Sequence, residues 1–362
     1  KRVPKSLSSK KILQPNFSLH NQQVELMMLF LVVAGAVLLT TVVVLIVCRV
    51  KVEEEEIALK EDTYVLITGC DSGVGNALAR HLQGRNGLHV IATCVWPDKK
   101  AAVELRALGV EVVGLDYLKH DTNEFCQRIR DILGSSKLHA LINNAGVCIA
   151  GEFDWLTEDQ VEMILRVNLG AVWLVKHLMD TLIKDQSRVI NVTSVNGTLA
   201  YPGLAAYCAS KYALEGFSDA LAMEMAKFNV RVIKLRLGDF AKLTSIMDGQ
   251  AGHASKMWRA FSERQRALYK AYFDDYHRVV SAEAGALSLP DFGGLMKCFD
   301  RALFSVQPAS VYVCGKSSYL MVLHLLSWMP EVVRNRVVAW AFEKAWNRKL
   351  HKDYHGTSKA ST

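Results

Sequence analysis

The chain has 362 residues, 51% of them hydrophobic and 22% charged, with a formal net charge of +7 from 43 basic and 36 acidic side chains. That size suits one large domain or two modest ones, and the apolar share is that of a globular protein with an added hydrophobic segment. The basic excess gathers at the two ends (Lys1, Arg2, Lys5, Lys10 and Lys11; Arg348, Lys349, Lys352 and Lys359) and forms no stripe with interleaved aromatics, which points to an anionic membrane surface and away from nucleic acid.

A basic segment (1–25) leads into LMMLFLVVAGAVLLTTVVVLIVC (26–48), 23 residues without a charge. At about 1.5 Å rise per residue it spans a hydrocarbon core of roughly 30 Å, so a transmembrane helix is expected. A cleaved signal peptide would have a shorter apolar region and a small-residue cleavage site. Basic residues stand on both sides of the run, Arg49 and Lys51 directly after it, which leaves its orientation open. A linker (49–62) follows, with an acidic run at 53–56 that needs no role beyond solvation.

From residue 63 the pattern changes to short runs rich in β-branched residues: YVLIT (64–68), LHVIATC (88–94), VEVVGL (110–115), KLHALIN (137–143), RVINVTS (188–194), VRVIKLRLG (230–238) and SVYVCG (310–315). Helical patterns fill the gaps at 74–83, 99–108, 123–133, 157–183 and 206–228. Continuous apolar runs of this length are strands buried on both faces. Their alternation with helices predicts an α/β fold, a doubly wound parallel sheet across 63–318, with ligands at the carboxyl ends of the strands. The eight cysteines (Cys48, Cys70, Cys94, Cys126, Cys148, Cys208, Cys298 and Cys314) include no CxxC pair and no His/Cys cluster of ligand spacing. Reduced thiols and no metal are expected.

The first strand runs into TGCDSGVGNALARHL, with Gly69, Gly73 and Gly75 spaced as TGxxxGxG. A strand, a glycine turn and a helix present backbone N–H groups to a pyrophosphate, here from Gly69 through Asp71, Ser72, Gly73, Val74 and Gly75. A glycine triplet alone is also an ordinary turn; its place after the first strand of a βαβ pattern makes it a dinucleotide signal. The second strand ends in Cys94, Val95 and Trp96, without the acidic residue that would bind a free ribose. Asp71 and Ser72 stand where a basic residue would favour a 2′-phosphate. NAD is preferred on that balance, with NADP left open. Asp116, closing the third strand, either approaches adenine or caps a helix. NNAG follows at 143–146, offering Asn143, Ala145 and Gly146 to the cofactor cleft.

Ser194 ends an apolar run, Tyr207 follows thirteen residues later, and Lys211 four after that. Positions i and i+4 share a helix face, so Tyr207 and Lys211 point the same way and Ser194 faces them from a strand tip. The plainer readings are a strand-end cap and an exposed helical pair. With the glycine turn, NNAG and Asn168 in LRVNLGAVW, this set resembles the short-chain dehydrogenase/reductase family over about 64–238, which implies a Rossmann fold. The resemblance implies roles: Tyr207 as general acid/base, Lys211 lowering the phenol pKa and binding the nicotinamide ribose, Ser194 holding the substrate oxygen, Asn168 carrying a water. A phenol titrates near ~10, too high for easy proton removal at neutral pH unless a neighbouring cation lowers it. One departure stands out: Leu237 precedes Gly238 where the family has Pro-Gly.

Residues 239–292 fall where this fold carries a substrate lid, and Met257, Trp258, Phe261, Leu268, Tyr269, Tyr272 and Phe273 are candidates to cover a large apolar ligand or simply to pack on the sheet. The tail (319–362) begins YLMVLHLLSWMPEVV, read as an interfacial helix or a hydrophobic entrance to the site. The turn, lid and tail are similar to the retinol and hydroxysteroid dehydrogenase branch, with 3-hydroxybutyrate dehydrogenase a cousin. GEFDW and KMWRAFSERQRALYKAYF resemble an insect member of that branch associated with ecdysteroid synthesis. The resemblance implies an oxidoreductase acting on a lipophilic steroid or retinoid, anchored in the endoplasmic reticulum membrane, and a homodimer through 157–183 and 206–228. A small hydroxy-acid dehydrogenase and a cofactor-binding scaffold without chemistry are the alternatives.

Overall fold

In the computed structural model of the chain, the described residues are 35, 37, 40, 55–59, 62–83, 85, 87–270 and 272–356, with side chains described through 344. Apart from Gly35, Val37 and Thr40, all helical, the apolar run 26–48 lies outside them. Among the described residues no helix is long and apolar enough to cross a membrane.

The predicted strands form one seven-stranded sheet of order β3-β2-β1-β4-β5-β6-β7. They are β1 (Thr63–Ile67), β2 (Leu88–Cys94), β3 (Glu111–Gly114), β4 (Lys137–Asn143), β5 (Arg188–Ser194), β6 (Arg231–Leu237) and β7 (Val311–Cys314). Every neighbouring pair is parallel. The helices are α1 (Gly73–Leu82), α2 (Lys100–Ala107), α3 (Thr122–Leu133), α4 (Glu158–Asn168), α5 (Gly170–His177), α6 (Met179–Asp185), α7 (Ala205–Met225), α8 (Gln250–Ala260), α9 (Glu263–Tyr269), α10 (Phe273–Glu283), α11 (Gly293–Phe304), α12 (Ser317–Ser327) and α13 (Glu331–Gly356). Alternate residues of β1 enter different layers: Val65 and Ile67 pack with Leu78 of α1 and Phe299 of α11, Leu66 with Phe125 of α3 and Leu174 of α5. That two-sided burial is why the strands read as unbroken apolar runs. The strand order reverses between β1 and β4, and the crevice beyond their carboxyl ends is where such a sheet takes ligands.

Two expectations are corrected. The helix read as continuous over 157–183 is three pieces, because Leu169 (φ −102°, ψ 6°) and Leu178 (φ −98°, ψ 7°) leave the helical region. At the first break Gly170 lies against the Tyr117 ring so closely that any Cβ would collide with it. Not all cysteines are free: Cys298 of α11 and Cys314 of β7 form a disulfide, brought together by helix packing on the sheet rather than by sequence spacing.

Candidate active site

The glycine turn is held by a small polar lattice. Thr68 Oγ1 accepts from the N–H groups of Asn144 and Ala145, both at 3.0 Å, and Asn144 Nδ2 donates to the carbonyls of Thr68 (2.8 Å) and Gly69 (3.1 Å). Gly69 has φ +72°, and a Cβ there would stand 2.7 Å from the Ala145 Cα. Only glycine combines that backbone with that approach. Gly75 is required for another reason: a Cβ would strike the Gly69 carbonyl and the Asn144 amide.

A dinucleotide fits what is present. The first turn of α1 has no acidic residue, and its N-cap Ser72 makes no capping bond; Ser72 Oγ instead contacts Ser245 Oγ from the loop after β6. The N–H groups of the first turn of α1 are thereby left for an anion, with the helix dipole behind them, while those of Gly69 and Cys70 are taken by Thr93 Oγ1 at 3.2 Å and the Thr93 carbonyl at 2.7 Å. Asp71 accepts from Val95 N–H (2.9 Å) and Trp96 N–H (3.0 Å), tying the turn to the end of β2.

Beyond the turn opens a cavity of about 810 Å³. Gly69, Asp71, Ser72, Gly73, Val74, Ala145, Gly146, Ser194, Tyr207, Lys211 and Gly238 line it, as does Leu237. Gly75, Asp116, Asn143 and Asn168 do not. Asp116 closes a turn onto Leu118 N–H (3.0 Å) and pairs with Lys119 at 3.5 Å. Asn143 is buried between strands and donates to Asn191 Oδ1 at 2.8 Å. It is its neighbour Asn144 that reaches the cleft, through the same NNAG signal. Asn168 stands one layer back, with Oδ1 accepting from Val147 N–H at 2.7 Å and Nδ2 donating to Ser210 Oγ at 2.9 Å.

Ser194, at the last position of β5, lines the same cavity as Tyr207, and its Oγ accepts from Asn196 N–H at 3.2 Å, capping the strand end. Tyr207 and Lys211 lie one turn apart on α7, both buried, with Lys211 Nζ 5.8 Å from the Tyr207 ring centroid. Lys211 Nζ donates to the Val192 carbonyl at 3.1 Å. Burial pulls the Lys211 ammonium down to about 8, against opposing pulls from Cys148 and Glu215. Burial pushes the Tyr207 phenol up, and the neighbouring Ser194 hydroxyl offsets this only in part. The protein alone therefore keeps Tyr207 protonated, and ionising it takes added positive charge beside the ring.

Sequence reasoning missed Glu215. It accepts from Thr193 Oγ1 (2.7 Å) and from Arg236 Nε (3.0 Å) and Nη2 (2.8 Å), and pairs with Lys234 at 3.0 Å. Tyr207, Lys211 and Glu215 recur every four residues, a spacing that could have revealed the third member. The lid aromatics also need correction. Phe261, Tyr269, Tyr272 and Phe273 surround the buried Trp155 with centroids 5.1 to 6.5 Å away and form their own core, while Leu268 is exposed. The cavity is covered instead by Met247, His253, Tyr276, Val279 and Val280, with Tyr319 and Phe342 from the C-terminal helices.

Residues 63–250 match the short chain dehydrogenase family. Retinol dehydrogenase 7 of Mus musculus is 32% identical over 298 residues, 81% of this chain and 92% of that protein. The 17-beta-hydroxysteroid dehydrogenase type 6 of Homo sapiens is 31% identical over 301 residues, again 81% and 92%. Among solved structures, a short chain dehydrogenase/reductase from Burkholderia phymatum in complex with NAD superposes with a TM-score of 0.58 at 21% identity, over 74% of this chain and 94% of that one.

Proposed function

The chain belongs to the short chain dehydrogenase family, NAD(P)-dependent oxidoreductases of CH–OH groups, and from that premise we propose that it interconverts alcohol and carbonyl on a lipophilic steroid, ecdysteroid precursor or retinoid. The observation that carries this is Ser194, Tyr207 and Lys211 brought to the wall of one cavity, Lys211 one turn from Tyr207, with a glycine turn at one end of that cavity and aromatic walls at the other. When bound, the nicotinamide cofactor supplies a hydride acceptor or donor. Ser194 holds the substrate oxygen. Tyr207 exchanges a proton with that oxygen, as the acid in carbonyl reduction and, ionised, as the base in alcohol oxidation. Lys211 in its ammonium form favours the phenolate, and Asn168 positions both the Val147 loop and the α7 face that carries Lys211.

We assign NAD as the preferred cofactor. Asp71 lines the cavity beside Val95 and Trp96, and its negative charge opposes a 2′-phosphate there. Lys99 and Lys119 favour one, but their ammonium groups sit over the Trp96 ring at 5.0 and 5.7 Å. An endoplasmic reticulum membrane anchor rests on the apolar run 26–48. Pairing of two copies through α4, α5 and α7 is supported by the exposed Leu165, Trp173 and Met223 on those helices. Division into anchor, linker (49–62), catalytic domain (63–318, lid 239–292) and tail follows from the same patterns.

The small hydroxy-acid reading loses ground because, among the described residues lining the cavity, Lys211 is the sole Lys or Arg to meet a carboxylate. The test is turnover of the full-length protein in detergent with NAD or NADP, against sterols, retinols and 3-hydroxybutyrate, beside Tyr207→Phe. Oxidation of a sterol or retinol, lost in the variant, is expected. Cofactor binding without turnover of any substrate would favour the scaffold, and a folded protein that binds no cofactor would sink the reading.

A further inference from the structure

The C-terminal helices present two unlike faces. The inner one completes the cavity: Tyr319 of α12 and Phe342 of α13 line it, and Phe342 packs edge-on against Tyr201 at 5.6 Å. The outer one is apolar and uncovered. α12 reads SSYLMVLHLLS, without a Lys, Arg, Asp or Glu, yet none of its residues is buried. Met321 and Val322 are half exposed, and the surface continues through Trp328 (60% exposed) to Val332 (65%) and Trp340 (58%). A helix of that composition ordinarily lies in a core, and a contiguous apolar surface beside a binding site marks an interface.

The charge around this face selects its occupant. From Lys316 to Lys352 the chain carries Lys316, Arg334, Arg336, Lys344, Arg348, Lys349 and Lys352 against Glu331 and Glu343. Exposed tryptophans with flanking cations are the composition of a helix lying in a headgroup layer. A second copy of the chain would set one cationic rim against another. We propose that α12 and the first half of α13 dock on an anionic bilayer, with the mouth framed by Tyr201, Tyr319 and Phe342 facing the lipid, so that substrate enters from the membrane. The entry route rests on the lipophilic-substrate reading; the docking surface does not.

Tryptophan fluorescence separates the two. The apolar run 26–48 contains no tryptophan, so emission reports on the rest of the chain. In a Trp346→Phe background, the full chain is reconstituted in vesicles of phosphatidylcholine and phosphatidylserine with brominated acyl chains. Quenching is expected, weaker in phosphatidylcholine alone, and lost on adding Trp328→Phe and Trp340→Phe but not Trp173→Phe, which removes an exposed tryptophan of α5. Quenching that survives the pair, or no quenching at all, overturns the proposal. So does lipid-free shielding of Trp328 from aqueous iodide that grows with protein concentration, which would assign the face to a second copy. For the entry route, Met321→Glu with Val332→Glu raises KM for a vesicle-borne substrate and leaves kcat on a short water-soluble alcohol unchanged; an unchanged KM overturns that half. Quenching needs no turnover, so an inactive protein would count against the oxidoreductase reading alone.

Discussion

The side chain of Asn168 grips Val147 at both backbone atoms, Oδ1 accepting from its N–H at 2.7 Å and Nδ2 donating to its carbonyl at 3.0 Å. The same Nδ2 reaches Ser210 Oγ, one residue before Lys211. The loop after β4 is thereby fastened to the helix that carries the reactive pair. Asn168→Ala leaves partly buried polar atoms unpaired, at about 1–3 kcal/mol each, and frees the loop. The expected result is a lower urea midpoint together with a fall in kcat. Asn168→Asp keeps the acceptor but turns a carboxylate oxygen onto the Val147 carbonyl, acceptor against acceptor in a buried place, so it should be no more stable than Ala. Wild-type kcat in Asn168→Ala would mean the grip is structural only.

Glu215 bears on the same chemistry from behind. Its carboxylate is one of the groups opposing the fall of Lys211 to about 8. Glu215→Gln removes that opposition, so Lys211 loses its proton at lower pH and supports the phenolate less well. The rising limb of alcohol oxidation should then move to higher pH. The variant also strips Arg236 and Lys234 of a buried anion, a loss of roughly 3–5 kcal/mol when a buried pair is broken. A pH–rate profile and a urea titration read the two effects separately. An unmoved limb would confine Glu215 to stability.

Much of this was legible in advance for one reason: a parallel sheet covered on both faces writes its strands as apolar runs. LHVIATC, KLHALIN and RVINVTS match β2, β4 and β5 residue for residue. Ser194, Tyr207 and Lys211 were legible because helix periodicity alone aligns the last two. What escaped depends on tertiary neighbours. The break before Gly170 answers to the Tyr117 ring, the Cys298–Cys314 pairing to helix packing, and the lid aromatics to Trp155, a partner more than a hundred residues away. Asn143 and Asn144 are adjacent in sequence, and only strand pairing decides which faces the cleft.

Cofactor choice turns on Asp71. Its carboxylate accepts two backbone N–H groups at the end of β2 and brings a negative charge to the cavity wall. Asp71→Asn keeps one acceptor oxygen and removes the charge. NADP binding should strengthen relative to NAD, by roughly tenfold for each 1.4 kcal/mol of repulsion relieved. Titration of both nucleotides by fluorescence or calorimetry measures the ratio without any substrate. A ratio equal to wild type would pass the discrimination to Trp96 and its two lysines.

Stability should fall on mild acidification, and His139 supplies a defined part of the slope. The ring stands on β4 and is buried, Nε2 donates to the Leu303 carbonyl at 2.8 Å, and burial lowers its pKa from 6.5 to about 4, with Arg188 and Lys137 nearby acting in the same direction. Unfolded, the imidazole titrates near its ordinary value, so between those two pH values the unfolded chain binds more protons than the folded one. Stability is therefore fully present above about 6.5 and is lost as pH falls toward 4. At about 1.4 kcal/mol per pKa unit the loss from this residue is a few kcal/mol at most. His277, also buried and lowered to about 4, adds to the same window. His139→Gln keeps a donor for Leu303 and cannot titrate, so its urea midpoint should change less steeply between pH 6.5 and 4 than that of wild type. Parallel slopes for the two proteins would show that His139 does not set the acid limb.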